Sequence, residues 1–333
     1  MEVGWLALPV DDMSRVGEAR REAALLARRV GFPEDQQSRV SIVASELATN
    51  LQRHATRERW FFARALNHHD VPEIELIAVD GGPGIASLPD AERDGFSTSG
   101  GTGQGLGAVR RLASELDVHT SPAGTAILAR LLADAPIAPV TAGAVRVAKR
   151  GEVQCGDAWA AEVGATDASL LVADGLGHGF EASEAAERAV ACFRATPGHA
   201  VRDRIRLIHE ALLPTRGAAI ALAHVDFAAA RVTYGGLGNI SGVIARPGES
   251  RSLVSLHGTA GRIAARITEF HYDWSPDALL IMHSDGVSSH WDLAHYPGLL
   301  RRHPSLVAAV LFRDHARHRD DACVAVLREP PAP

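Results

Sequence analysis

Lysine is almost missing from this chain: of 34 basic residues only Lys149 is a lysine, so arginine carries the positive charge. Chemistry that needs a lysine, such as a Walker-type grip on phosphate, has one candidate, and no G-K-[ST] motif surrounds it. Positive charge is not in excess either. The 40 acidic residues leave a formal net charge of −6, which gives no basic field to release phosphate counterions and sets nucleic acid aside as a partner. Cysteine is scarce. Cys155, Cys192 and Cys323 lie far apart without C-x-x-C spacing, which argues against a disulfide framework and suits a reducing cytoplasm. No uncharged apolar run approaches the ~18 residues of a membrane span. The opening Met1-Glu2-Val3-Gly4-Trp5 lacks the basic-then-apolar order of a signal peptide. A cytoplasmic protein with no membrane partner is expected.

What is present is enough for a core. The 333 residues are 46% hydrophobic and 22% charged, which excludes disorder and fibrous folds. At about 150 residues per domain, that length suggests two domains. The aperiodic stretch from Ala133 to Gly143 carries Pro136 and Pro139, which disfavour a helix and favour an extended connector. The expected division is a first domain over residues 1–134, a linker over 135–143 and a second domain over 144–330.

In the first domain the periodicity predicts helices over Ser14–Val30, Glu34–Arg53 and Leu106–Leu116, with strands at Trp5–Val10, Trp60–Leu66, Glu73–Val79, Leu116–Thr120 and Thr125–Leu131. That mixture suggests an α+β sandwich with helices on one sheet face. The second domain reads as richer in strands, with helices over Glu181–Ala195 and Ala200–Leu213, and suits two packed antiparallel sheets with flanking helices.

Three features of the first domain carry chemistry. Glu46 and Asn50 stand four residues apart and so share one helix face. Mg²⁺ takes hard oxygen ligands, which the Asn50 carboxamide supplies, and a Glu beside a metal-bound phosphate can serve as general base. Asp80 ends an apolar strand before Gly81-Gly82-Pro83-Gly84, where a carboxylate can accept from an exocyclic amine and glycines let backbone approach a ring. The run Ser99-Gly100-Gly101-Thr102-Gly103-Gln104-Gly105-Leu106-Gly107 precedes a helix, whose N-terminal N–H groups and dipole favour phosphate. Singly, each also reads as an exposed polar face, a plain turn or a loop.

Their order resembles the GHKL ATPase domain shared by histidine kinases, gyrase, the Hsp90 family and anti-sigma-factor kinases. Glu46 and Asn50 match its N box, Asp80 with Gly82 and Gly84 its first glycine box, and Gly101 to Gly107, with Thr102, Gly103, Gly105 and Leu106, its second. Thr125 after Gly124 matches the threonine that assists the adenine aspartate. The resemblance spans about residues 5–132 and, through Gly105-Leu106-Gly107-Ala108-Val109-Arg110-Arg111-Leu112, is closest to RsbT-type serine kinases. It implies a Bergerat-type α/β sandwich that binds ATP with Mg²⁺.

In the second domain, acidic residues sit at strand ends beside glycine: Gly156-Asp157, Asp174-Gly175-Leu176-Gly177-His178-Gly179, Ser284-Asp285-Gly286 and Asp320-Asp321. Each alone reads as a turn aspartate. Together they point to a binuclear Mg²⁺ or Mn²⁺ site, which can lower the pKa of a water and clamp an in-line phosphoryl displacement. The series resembles the metal-dependent phosphatase (PPM) family, in its SpoIIE and RsbX branch, over about residues 144–328, and implies an α-β-β-α fold. By the family pattern Asp174 bridges two metals, Asp157 serves one, Asp285 and Asp320 the other, and the Gly175 carbonyl also binds. The usual Thr after the Asp-Asp pair is replaced by Ala322-Cys323, which leaves the choice between Asp320 and Asp321 open. Gly235-Gly236-Leu237-Gly238-Asn239 matches a structural glycine turn. His68-His69, the pair His315 and His318, and Arg301-Arg302-His303 read as solvated surface, the last also as a partner contact, and His178 flanks the metal loop.

The resemblances imply an ATP-dependent serine kinase fused to a phosphoserine phosphatase, acting on a STAS-domain antagonist or a stressosome-like protein in a sigma-factor partner-switching pathway. Two alternatives stay open: an ATP-gated partner-binding module without kinase turnover, and a phosphatase regulated by ATP at a degenerate kinase domain.

Overall fold

In the computed structural model, residues 2–68, 71–91, 105–133, 139–264 and 266–330 are described. The chain divides into two compact units, Met1–Ala138 and Pro139–Pro333.

The first unit runs β1 (Glu2–Pro9), α1 (Met13–Val30), α2 (Glu34–His54), β2 (Trp60–His68), β3 (Val71–Asp80), a short α3 (Leu88–Ala91), α4 (Gly105–Leu112), β4 (Glu115–Ser121) and β5 (Gly124–Leu132). Asp12 starts α1 by accepting the Ser14 N–H at 2.7 Å. Gly31 ends it at φ 93°, donating back to the Ala27 and Arg28 carbonyls, the left-handed stop that glycine takes without strain. Pro33 then launches α2, since its fixed φ suits the residue before a first turn. All five strands are antiparallel, in the order β1-β2-β3-β5-β4. The buried stripe Val40, Val43, Leu47 and Leu51 of α2 packs with Leu26 of α1 on Phe61, Ile74, Leu76 and Leu131 of the sheet. Helix α4 spans eight residues and stops before the sequence expectation, because Glu115 already pairs with Arg130 in the β4–β5 ladder.

The second unit holds β6 (Ala142–Val147), β7 (Asp157–Val163), β8 (Asp167–Gly175), α5 (Phe180–Ala195), α6 (Val201–Leu212), β9 (Ala218–Asp226), β10 (Arg231–Leu237), β11 (Ser241–Arg246), β12 (Glu249–Ser252), β13 (Phe270–Asp273), β14 (Leu279–His283), α7 (Pro304–His315) and β15 (Ala322–Arg328). Two five-stranded sheets, β13-β10-β9-β8-β7 and β12-β11-β14-β15-β6, face one another. Between them lie Leu170, Val172, Tyr234, Leu280, Met282 and Val225. A second core sits between the first of these sheets and α5 and α6, around Phe193, Ile205 and Leu222. Helix α7 covers β6 and β15. The layers are therefore α-β-β-α.

Helix α7 and the strands β12 and β13 are absent from the sequence reading. Leu306–Phe312 is apolar at every position and buried all round, so it has no polar stripe for a 3.6-residue period to reveal. His303 also departs from a solvated face: it is 7% exposed and caps α7 by accepting the Ser305 N–H at 3.2 Å.

Candidate active sites

In the first unit, α2 carries Glu46 and Asn50 one turn apart and half-buried, beside the stripe that fixes the helix to the sheet. Both face the head of α4. A Cβ on Gly105 would lie 3.3 Å from Asn50 Oδ1 and 3.6 Å from Glu46 Oε2, so the missing side chain leaves a cradle at a helix N-terminus. Leu106, 6% exposed, enters the core, which seats α4 and leaves its backbone to the site; Gly107 is buried behind it. Gly101, Thr102 and Gly103 lie outside the described residues.

Asp80 ends β3 directly opposite Thr125 of β5. Its Oδ1 accepts the Gly82 N–H at 2.6 Å, which orients the carboxylate along the glycine turn. Gly84 stands at φ 79°, and a Cβ there would lie 2.2 Å from the Ser121 carbonyl, so only glycine lets the turn pass β4. Thr120, which the sequence reading missed, accepts the Ile85 N–H at 2.7 Å and lies 3.1 Å from Thr125 Oγ1. Thr56 ties the end of α2 to the same turn by donating to the Gly81 carbonyl at 2.7 Å. A carboxylate, a hydroxyl and open glycine backbone thus stand at one sheet end, and a carboxamide and a second carboxylate at the head of α4.

In the second unit the acidic motifs converge where strands of both sheets end. Asp157 and Asp174 are register partners in β7 and β8. Asp157 is 1% exposed; Ser284 Oγ donates to its Oδ2 at 2.6 Å, while Oδ1 is buried with no hydrogen-bond partner. Asp285 accepts from Asn239 Nδ2 at 2.7 Å through its Oδ2. Asp320 and Asp321 differ in role. Asp321 is 3% exposed and accepts the Lys149 N–H at 2.8 Å, so it braces the loop before Asp157, whereas Asp320 is exposed.

Burial and crowding act on this set together. Burial, then Asp174, pushes Asp157 well above the usual carboxylate range. Asp174 rises to about 7, through burial first and then Asp285, Asp320 and Asp321. Asp285 is raised by burial and by Asp320. Asp321 is raised by burial and Asp320, against the backbone N–H groups that favour its charge. Among the described residues no three His, Cys, Asp or Glu side chains close around one point tightly enough to hold a metal ion by themselves. An open set of mutually repelling carboxylates with two orphaned buried oxygens, Asp157 Oδ1 and Asp321 Oδ2, nevertheless suits Mg²⁺, which keeps several waters and takes few protein ligands.

Glycines make the close approach possible. A Cβ on Gly156 would lie 2.7 Å from Asp321 Oδ2, one on Gly175 2.0 Å from the Ala182 carbonyl, and one on Gly286 1.9 Å from the Asp321 carbonyl. His178 is exposed and bonds Glu152 Oε1 at 2.6 Å. Asn239, read from sequence as part of a structural turn, holds Asp285, and Ser284, read only as a neighbour of Asp285, holds Asp157.

Comparison with known proteins fits this geometry. Residues 10–131 match the family described as the histidine kinase-like ATPase domain. The chain is 35% identical over 102 residues to the serine/threonine-protein kinase RsbT of Bacillus subtilis (strain 168), covering 31% of this chain and 76% of that protein. This chain belongs to the RsbT family. Its second part matches the stage II sporulation protein E (SpoIIE) family over residues 164–329. A structure of the bacterial stressosome, described as a modular system adapted to control secondary messenger signaling, aligns at 28% identity with a TM-score of 0.53, over 56% of this chain and 98% of the other. RsbX in complex with magnesium shares the fold at 21% identity and a TM-score of 0.50, over 55% of this chain and 92% of the other. This RsbT-family chain therefore joins a serine/threonine kinase domain to a SpoIIE-type serine/threonine phosphatase domain. Among the described residues no helix is long and apolar enough to cross a membrane.

Proposed function

We propose that the two domains phosphorylate and dephosphorylate the same serine of one partner protein, a STAS-domain antagonist or stressosome-like scaffold, in the cytoplasm. The observation that carries this reading is that both acidic constellations are complete in one chain. A short tether keeps the second domain at high effective concentration near whatever the first one binds. The similarity to RsbT and to a stressosome structure supports the class of partner.

In the kinase domain, Asp80 and Thr125 select the adenine, the glycine backbone ahead of α4 receives the phosphates, and Asn50 gives Mg²⁺ an oxygen. Glu46 orients the incoming serine hydroxyl and takes its proton, so catalysis rests on positioning and electrostatics. In the phosphatase domain, Asp157, Asp174, Asp285, Asp320 and the Gly175 carbonyl would hold Mg²⁺ or Mn²⁺. When bound, such ions supply Lewis-acid activation of water and of the phosphoryl group. Asp321, Asn239 and Ser284 keep the carboxylates oriented.

Mass spectrometry of a STAS-domain partner incubated with ATP and the protein tests the shared serine. Wild type should give a low steady state of phosphoserine, Asp174→Asn near-full phosphorylation, and Glu46→Ala none. A serine modified by the first domain and resistant to the second would refute the opposing-switch reading.

A further inference from the structure

Ser284 is where three strands of the phosphatase site meet, and its hydroxyl has no freedom. The residue is 0% exposed. Its N–H donates to the Cys323 carbonyl at 3.1 Å, and its Oγ accepts the Cys323 N–H at 3.0 Å. With that lone pair occupied, the hydroxyl proton goes to Asp157 Oδ2 at 2.6 Å. One side chain thus links the end of β14, the start of β7 and the start of β15. Asp157 is left with one oxygen satisfied and the other, Oδ1, buried and unpartnered. Such an orphan costs free energy unless a donor or cation fills its place. Asp285 repeats the arrangement, with Oδ2 taken by Asn239.

We propose that Ser284 is a positioning residue for the metal: it occupies Oδ2 of Asp157 so that Oδ1 alone is presented to Mg²⁺. The inference rests on the metal-site reading above. Mg²⁺ demands near-octahedral geometry and a short metal–oxygen distance, which a single-oxygen carboxylate meets more readily than a chelating one. Hydrogen-bond partners of metal ligands of this kind typically govern affinity by about 10–100-fold.

Calorimetric titration of Mg²⁺ into the metal-free 333-residue chain tests this, with wild type, Ser284→Ala and Ser284→Thr side by side. Ser284→Ala should raise the Mg²⁺ dissociation constant about 10–100-fold, and Ser284→Thr, which keeps the hydroxyl, should restore it to within a few-fold. Thermal unfolding of the same samples separates the roles. A merely structural serine would lower the metal-free transition temperature and leave the affinity of the folded protein unchanged, which overturns the proposal. Should Ser284→Ala not fold, Ser284→Cys keeps the size, weakens the donor and reads the same shift. If wild type binds no Mg²⁺, the metal-site reading falls and the role of Ser284 with it. If wild type binds and Ser284→Ala binds equally, only the role of Ser284 is refuted.

Discussion

In the first unit, the head of α4 meets one carboxylate, Glu46, and one carboxamide, Asn50, with glycine backbone between them. In the second, Asp157, Asp174, Asp285, Asp320 and Asp321 crowd the strand ends until burial and mutual repulsion lift several above the usual carboxylate range. The difference follows from what each ligand brings. A nucleotide carries its own negative charge and its own magnesium, so the kinase domain needs donors and open space. A phosphatase that draws metal from solution needs the negative charge built in, and must hold it at a cost to folding while no ion is bound. One domain stores emptiness and the other stores repulsion.

The largest expected effect breaks the comparison by disabling one half at a time. Asp174→Asn should lower phosphatase turnover by ~10³-fold or more, the several kcal/mol supplied by metal activation, while leaving kinase turnover intact. Glu46→Ala should do the reverse, cutting phosphoryl transfer ~10²–10³-fold with ATP binding retained. Separate assays of ATP-dependent phosphorylation and of phosphoserine release check both. Loss of both activities in either variant would mean that the halves do not work independently.

A smaller effect sharpens the nucleotide side. If Asp80 receives the adenine amine as proposed, Asp80→Asn removes a charge-assisted acceptor and should weaken ATP binding by about tenfold or more. Binding of inorganic triphosphate should stay unchanged, and an equal loss for both ligands would move Asp80 away from the base.

The smallest effect sharpens the metal side. The Asp174 carboxyl is raised to about 7 in the folded protein, so the unfolded chain, at about 3.9, releases its proton first as pH rises. Folded-state stability without metal should therefore fall between about pH 4 and pH 7 and be lowest above that window. Asp174→Asn should raise the metal-free transition of the second unit by about 3 °C near pH 8 and change it little near pH 4. Calorimetry in chelator at both pH values measures this. Added Mg²⁺ should stabilise wild type and not the variant.

Much of this was legible before any coordinates. Asp157, Asp174, Asp285 and Asp320 each read alone as a turn aspartate and suggest a metal site only as a set at strand ends. Glu46 and Asn50 share a helix face by spacing, and their order with the two glycine runs singles them out. Ser284 and Asn239 could not be read, because their partners are set by which strands become neighbours: Ser284 reaches Asp157 across 127 positions, and Asn239 reaches Asp285 across 46. That Asp321 takes the Lys149 N–H could not be read either, because the two residues lie 172 positions apart. Helix α7 was hidden for a different reason. Its uniform burial erases the contrast on which periodicity depends.

The three tight glycines bear on how this protein can diverge. Positions 156, 175 and 286 have no room for even a methyl group, since their Cβ atoms would fall 1.9–2.7 Å from Asp321 or the Ala182 carbonyl. At Gly175 and Gly286 the obstruction is backbone, so a side chain there would move the strand ends that carry the acids. Variation is instead open a few residues further along the same loop, where Leu176 is 42% and Phe180 68% exposed. Side chains can therefore be exchanged along that rim, one substitution at a time, while the backbone beneath it stays fixed.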